Sequence, residues 1–117
     1  MSTLARPVLV TGGRFYADAA RVAEALAAEA PTLVIHGGCR GADILADAWA
    51  RAAGIHVARV DALWDIEPKR AGPIRNGVLV ELAAKLGAIV VAFPGGSGTV
   101  DCVRKARAAG LEVREVR

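Results

Sequence analysis

The residues suited to bind or react sit mostly at three glycine-rich turns, each following an apolar run. They read Gly12-Gly13-Arg14, Gly37-Gly38-Cys39-Arg40-Gly41 and Pro94-Gly95-Gly96-Ser97-Gly98-Thr99. Glycine lets the backbone approach a ligand with no Cβ in the way, and it tolerates positive φ. A helix that follows such a turn aims its free N–H groups and the positive end of its dipole at the same place, which makes an anion site. One junction of this kind is weak evidence. Several at equivalent positions point to a phosphate or phosphosugar cradle, to which Thr99 adds a hydroxyl.

Charged and aromatic side chains near these turns extend the pattern. Arg14, Arg40 and Arg75 each read alone as solvated arginines, but together at one edge they suit forked pairing with phosphate oxygens. Arg75 is expected in the first turn of its helix, where a cation opposes the dipole by about 0.3–1 kcal/mol. Asn76 joins it as a candidate ligand contact. Asp43 reads either as a helix cap or as a partner for a ribose hydroxyl. Trp64 either stacks on a base or lids the sheet edge. His36, beside Gly37, either reaches ligand or is a satisfied strand-end histidine, and His56 reads as structural. Cys39 and Cys102 read as small space-fillers, because nothing in the sequence supplies either with a base. They also lack the spacing of a zinc site, so neither a metal nor a resident cofactor is expected.

The elements that must position these residues alternate. Apolar runs at Pro7–Val10, Thr32–His36, Ile55–Val60, Ala88–Phe93 and Leu111–Val116 read as strands. Helices are expected at Ala17–Ala30, with Val22, Leu26 and Ala30 as its stripe, and after Gly41, with Ile44, Leu45, Ala48, Trp49 and Ala52 on one side. Two more are expected at Pro73–Leu86, closed by Gly87, and at Thr99–Ala109. Strand and helix in alternation, with short connections, mean right-handed βαβ units and a mostly parallel sheet covered on both faces. The fold class is therefore α/β: one Rossmann-like domain over residues 1–117, with about five strands. In such a sheet the glycine turns all lie at the carboxyl edge of the strands, where ligands bind.

The familiar nucleotide fingerprints do not fit. No GxxxxGK[ST] occurs, and in "GSGTVD" Asp101 stands where GxGxxG needs its third glycine. The formal charge of +3 suits an anionic ligand but falls short of the basic stripe of a dedicated nucleic-acid binder. The opening "MSTLARPVLV" has no signal-peptide apolar core, no run reaches membrane-spanning length, and the thiols form no disulfide framework. A cytoplasmic location is expected. The composition is 54% hydrophobic, which is apolar for a domain this small, and the Pro73–Leu86 helix is apolar beyond a single core face. Either that helix is pinned under the long loop "DALWDIEPKRAG" or it is a subunit interface; a homodimer is the preferred reading.

At these residues the chain resembles the SLOG superfamily, which includes the LOG phosphoribohydrolases and the DprA proteins, and in particular its short YspA/YpsA-related branch. The segments "VTGGRFY", "HGGCRGADILADAWA", "AGPIRNGVLV" and "VAFPGGSGTVDCVRKARAAG" carry the resemblance and cover most of the chain. It implies a Rossmann-like fold that binds nucleotides or nucleotide-derived ligands and tends to dimerise. LOG-type enzymes carry PGGxGTxxE and an arginine on the preceding helix, and cleave the bond between a base and ribose 5′-phosphate. Here Pro94–Thr99 fits and Arg75 resembles that arginine, but the glutamate position is Cys102. A neutral thiol cannot stabilise a developing oxocarbenium charge. Asp101 is one residue away, about 100° round the helix.

The expected function is thus binding of a nucleotide or phosphoribosyl ligand by a sensor or accessory module. The alternative is a phosphoribohydrolase acting on nucleoside 5′-monophosphates, with Arg75 and Asp101 as candidate catalytic residues or Asp43 as the carboxylate. A DprA-like single-stranded DNA binder ranks last, because stacking platforms are scarce.

Overall fold

The computed structural model describes residues 5–117, and Met1–Leu4 lie outside the described residues. Nine elements follow in order: β1 (Pro7–Thr11), α1 (Ala19–Glu29), β2 (Leu33–His36), α2 (Ala42–Ala52), β3 (His56–Arg59), α3 (Ala71–Leu86), β4 (Ile89–Ala92), α4 (Ser97–Ala108) and β5 (Val113–Glu115). The strands form one sheet in the order β3-β2-β1-β4-β5. Every pairing is parallel. The expected α/β, Rossmann-like architecture is what forms.

Side chains alternate across the pleat and so divide the core in two. Val8 and Val10 of β1 pack with Val22 and Leu26 of α1 and with Ala42, Ala46 and Ala50 of α2. Leu9 points the other way, with Ile35 and Val90, onto Leu79, Val80 and Ala83 of α3 and Cys102 and Ala106 of α4. The central strands are apolar up to their carboxyl ends, where Thr11 and His36 stand, because both faces are covered. The outer strands are shorter than the sequence suggests, and β3 leaves His56 and Arg59 exposed. A strand with one unpaired edge has less to bury and carries charge that discourages pairing with another chain.

Several boundaries and faces differ from expectation. In α1 the start falls at Ala19, because the Asp18 side chain caps it by accepting from the Arg21 N–H at 2.9 Å. Ala30 is not on the buried stripe; it closes the helix at φ 48°. Glu29 turns inward instead, and its carboxylate takes Arg114 Nη1 at 2.7 Å on both oxygens. On α2 the buried stripe is Ala42, Ala46 and Ala50, while Ile44, Ala48 and Ala52 face outward. Small residues are needed there because α2 lies close on the sheet: a Cβ at Gly12 would stand 2.5 Å from that of Ala42. Helix α3 begins two residues before Pro73, so Arg75 is its fifth residue. It therefore lies past the first turn and opposes the dipole less than expected.

Candidate functional site

In this strand order the crossover after β3 carries the chain past β1 to β4, so connections leave β1 and β4 in opposite directions. A crevice opens at their carboxyl ends. Gly13 joins the loops around it. Its N–H donates to Pro94 O at 2.9 Å, and its carbonyl accepts from Tyr16 N at 3.1 Å and Ala42 N at 3.2 Å. A Cβ at Gly13 would lie 2.8 Å from Pro94 O, and one at Gly41 (φ +83°) would strike the Gly13 carbonyl. Gly95 is equally confined by Gly13 and Thr99. These glycines allow the loops to approach one another, a packing role that the sequence pattern did not show. Gly96 and Gly98 differ, for a Cβ on either would meet open space.

The second turn is held from both sides. Asp43 is the second residue of α2 and does not cap it. Its Oδ2 accepts from Gly37 N at 3.0 Å and Cys39 N at 3.3 Å, which closes the preceding loop. Burial pushes the Asp43 carboxyl above its ordinary value, against the pull of those N–H groups and of Arg75. His36 is fully buried. Its Nε2 donates to Asp47 Oδ2 at 2.7 Å, and its Nδ1 accepts from Gly38 N at 2.9 Å. With both ring nitrogens used, it is the satisfied strand-end histidine.

Arg75 lies flat on Gly37, where a Cβ would meet the guanidinium. Nη1 donates to Gly37 O, Nη2 approaches Cys39 Sγ at 3.3 Å, and Nε donates to Asn76 Oδ1 at 3.1 Å. The arginine expected to fork onto a ligand therefore ties α3 to the second turn. Asn76 is buried and its amide donates to Gly98 O at 3.1 Å and Asp101 Oδ2 at 3.0 Å. Asp101 also accepts from Lys105 and Arg104, each at 2.9 Å. Partial burial would raise the Asp101 carboxyl, but these hydrogen bonds outweigh it and hold the group below its ordinary value.

Together these elements enclose a cleft of about 1050 Å³. Gly12, Gly13, Arg14, Asp43, Trp64, Arg75, Asn76, Asp101 and all of Pro94–Thr99 line it. Gly37, Gly38, Arg40 and Gly41 do not. Arg40 is exposed outside the cleft, because the loop between Gly37 and Ala42 is drawn inward through Asp43. Cys102 is fully buried in the core and lines none of the cleft, so burial raises its thiol. The position that carries glutamate in the enzymes resembled thus offers no group to the cleft. Sequence reasoning missed Phe15 and Tyr16, although "RFY" directly after two glycines was a signal, and it gave Cys39 no place in the lining.

The N-terminus of α4 faces this space. Its cap, Gly96, makes no side-chain hydrogen bond, and the first turn holds no acidic residue. The N–H groups of Ser97, Gly98 and Thr99 have no carbonyl within the helix to bond. Among the described residues, no helix is long and apolar enough to cross a membrane.

A family model described as "YspA, cpYpsA-related SLOG family" matches residues 6–66, from β1 into the loop before α3. The "Gene 61 protein" of Mycobacterium phage D29 is 40% identical over 122 residues, covering 92% of this chain and 94% of the phage protein. With the glycine turns, the parallel sheet and the cleft at its switch point, these matches show that the chain belongs to the YspA, cpYpsA-related SLOG family.

Proposed function

We propose that the chain binds a nucleotide or nucleotide-derived phosphoribosyl ligand in this cleft, as a sensor or accessory module. The uncapped start of α4 carries the reading: free N–H groups and a positive dipole end open into a cleft beside Gly96 and Gly98. Family membership supports a nucleotide-related ligand in a general way. Arg14 and Arg75 add positive charge to the lining. The same reading includes a homodimer through α3, supported by its exposed Ile74 and Val78.

The test is a thermal-shift panel of nucleoside mono- and diphosphates and ribose 5-phosphate, run on the native chain and on Gly98→Asp. A ligand at about 100 times its Kd adds about 2.7 kcal/mol, a shift of several degrees. The new carboxylate has room, suits the dipole by about 0.3–1 kcal/mol, and occupies the anion position. Gly98→Asp should melt no lower than the native protein and show no ligand shift. A native chain indifferent to the whole panel would defeat the reading.

A second reading, phosphoribohydrolase activity, draws on the two carboxyl groups in the lining, Asp43 and Asp101. It requires base release from nucleoside 5′-monophosphates that disappears in Asp43→Asn or Asp101→Asn.

A further inference from the structure

The chain has five aromatic residues: Phe15, Tyr16, Trp49, Trp64 and Phe93. Trp49 and Phe93 belong to the core, and the other three line the cleft. Tyr16 turns inward, its ring centroid 5.3 Å from that of Phe93. Phe15 does the opposite and is 87% exposed. The Tyr16 N–H bond to Gly13 O closes a turn with Arg14 and Phe15 at its tip, so one cation and one aromatic ring are presented side by side. Trp64 comes from the loop before α3 and is seated over Gly72, where a Cβ would come within 3.2 Å of the indole. About half of its surface stays open.

The side chains best suited to read the edge of a base are already engaged. The Asn76 amide donates to Gly98 and Asp101 and accepts from Arg75. Asp101 is held by Lys105 and Arg104. What the cleft offers a flat ring is therefore two exposed aromatic side chains, Phe15 and Trp64, while Asn76 and Asp101 keep little hydrogen-bonding capacity for its edge.

We propose that Phe15 and Trp64 form a stacking jaw that holds the ligand's heterocycle by its faces. This inference rests on the cleft being a phosphate-bearing ligand site, and it adds what class of ligand enters: one with a flat aromatic ring, purine above pyrimidine, with little discrimination between purines. Stacking follows ring area and accepts every base, whereas edge hydrogen bonds discriminate.

Calorimetric titration of the full chain with adenosine, guanosine and uridine 5′-monophosphates and with ribose 5-phosphate tests it. The two purine nucleotides should bind within a few-fold of each other and roughly tenfold or more above ribose 5-phosphate. Phe15→Ala and Trp64→Ala should each remove most of that advantage and leave ribose 5-phosphate affinity unchanged. Phe15→Trp keeps a ring and should preserve it, as should Trp64→Phe, which guards against disturbance of α3. Equal affinity for ribose 5-phosphate and the nucleotides, or an advantage that survives both alanine variants, overturns the jaw while the phosphate site stands. If ribose 5-phosphate and all the nucleotides fail to bind, the jaw and the underlying reading fall together.

Discussion

Two carboxyl groups in one cleft are driven in opposite directions by their surroundings. Asp43 is buried, and desolvation dominates although its Oδ2 accepts two backbone N–H groups. Asp101 is bonded by two cations and an amide, and its anion is favoured. A carboxyl whose folded pKa is raised contributes stability that is complete below the unfolded value, about 3.9, and is lost as pH rises through the folded one. One whose pKa is lowered contributes above the unfolded value and loses that contribution as pH falls through the folded one. Asp43→Asn keeps an acceptor oxygen for Gly37 and Cys39 and removes the charge. Urea midpoints measured across acidic to neutral pH should therefore fall less steeply above the ordinary carboxylate range in Asp43→Asn than in the native chain. Asp101→Asn should instead be weaker at neutral pH and nearly level with the native chain in strong acid.

Among the elements, α3 is the one that assembles the site. Its start seats Trp64 through Gly72, Arg75 reaches the second turn, and Asn76 reaches the turn into α4. Lys105 of α4 returns the contact by donating to Pro73 O at 2.8 Å. Asn76 is the hinge of this arrangement, since one buried amide serves partners on both helices. Asn76→Ala removes the hydrogen bonds to Gly98 O and to Asp101, which keeps Lys105 and Arg104, at a cost of about 0.5–1.5 kcal/mol for each bond lost. Chemical denaturation should show a loss of that size. The same variant should weaken ribose 5-phosphate binding, because Gly98 sits in the α4 turn. A stability loss with unchanged phosphate affinity would show that the hinge does not serve the site.

At the scale of the molecule, the sheet is covered on one side by α1 and α2 and on the other by α3 and α4. Helix α3 buries Leu79, Val80 and Ala83 and still presents Ile74 at 50% and Val78 at 45% exposure one turn apart. An apolar stripe opposite an already buried face is what a second copy would cover. The proposed dimer predicts that Ile74→Asp with Val78→Asp yields a folded monomer, because neither side chain supports the core. Sedimentation velocity checks this. A native chain that stays monomeric at high micromolar concentration would end the proposal.

The alternation of apolar runs and helices, with short connections, was enough to specify a mostly parallel sheet and to bring the glycine turns to one edge. Chirality and connection length leave few other topologies for such a pattern. The turn at Pro94–Thr99 was legible for the same reason, since a strand-to-helix junction is local in the chain. The tertiary structure decided which glycines have open space beside them and which are packed against protein, because that depends on loops such as Gly13 and Pro94 meeting across 81 residues of chain. It also decided that Arg75 is spent on a turn 38 residues away, that Arg40 lies outside the cleft and that Cys102 is sealed in the core. Phe15 and Tyr16 are neighbours of similar chemistry, yet Tyr16 is half-buried against the core and Phe15 stands exposed at the cleft. Spacing along the chain carries periodicity, whereas burial and charge environment arise only when distant elements pack.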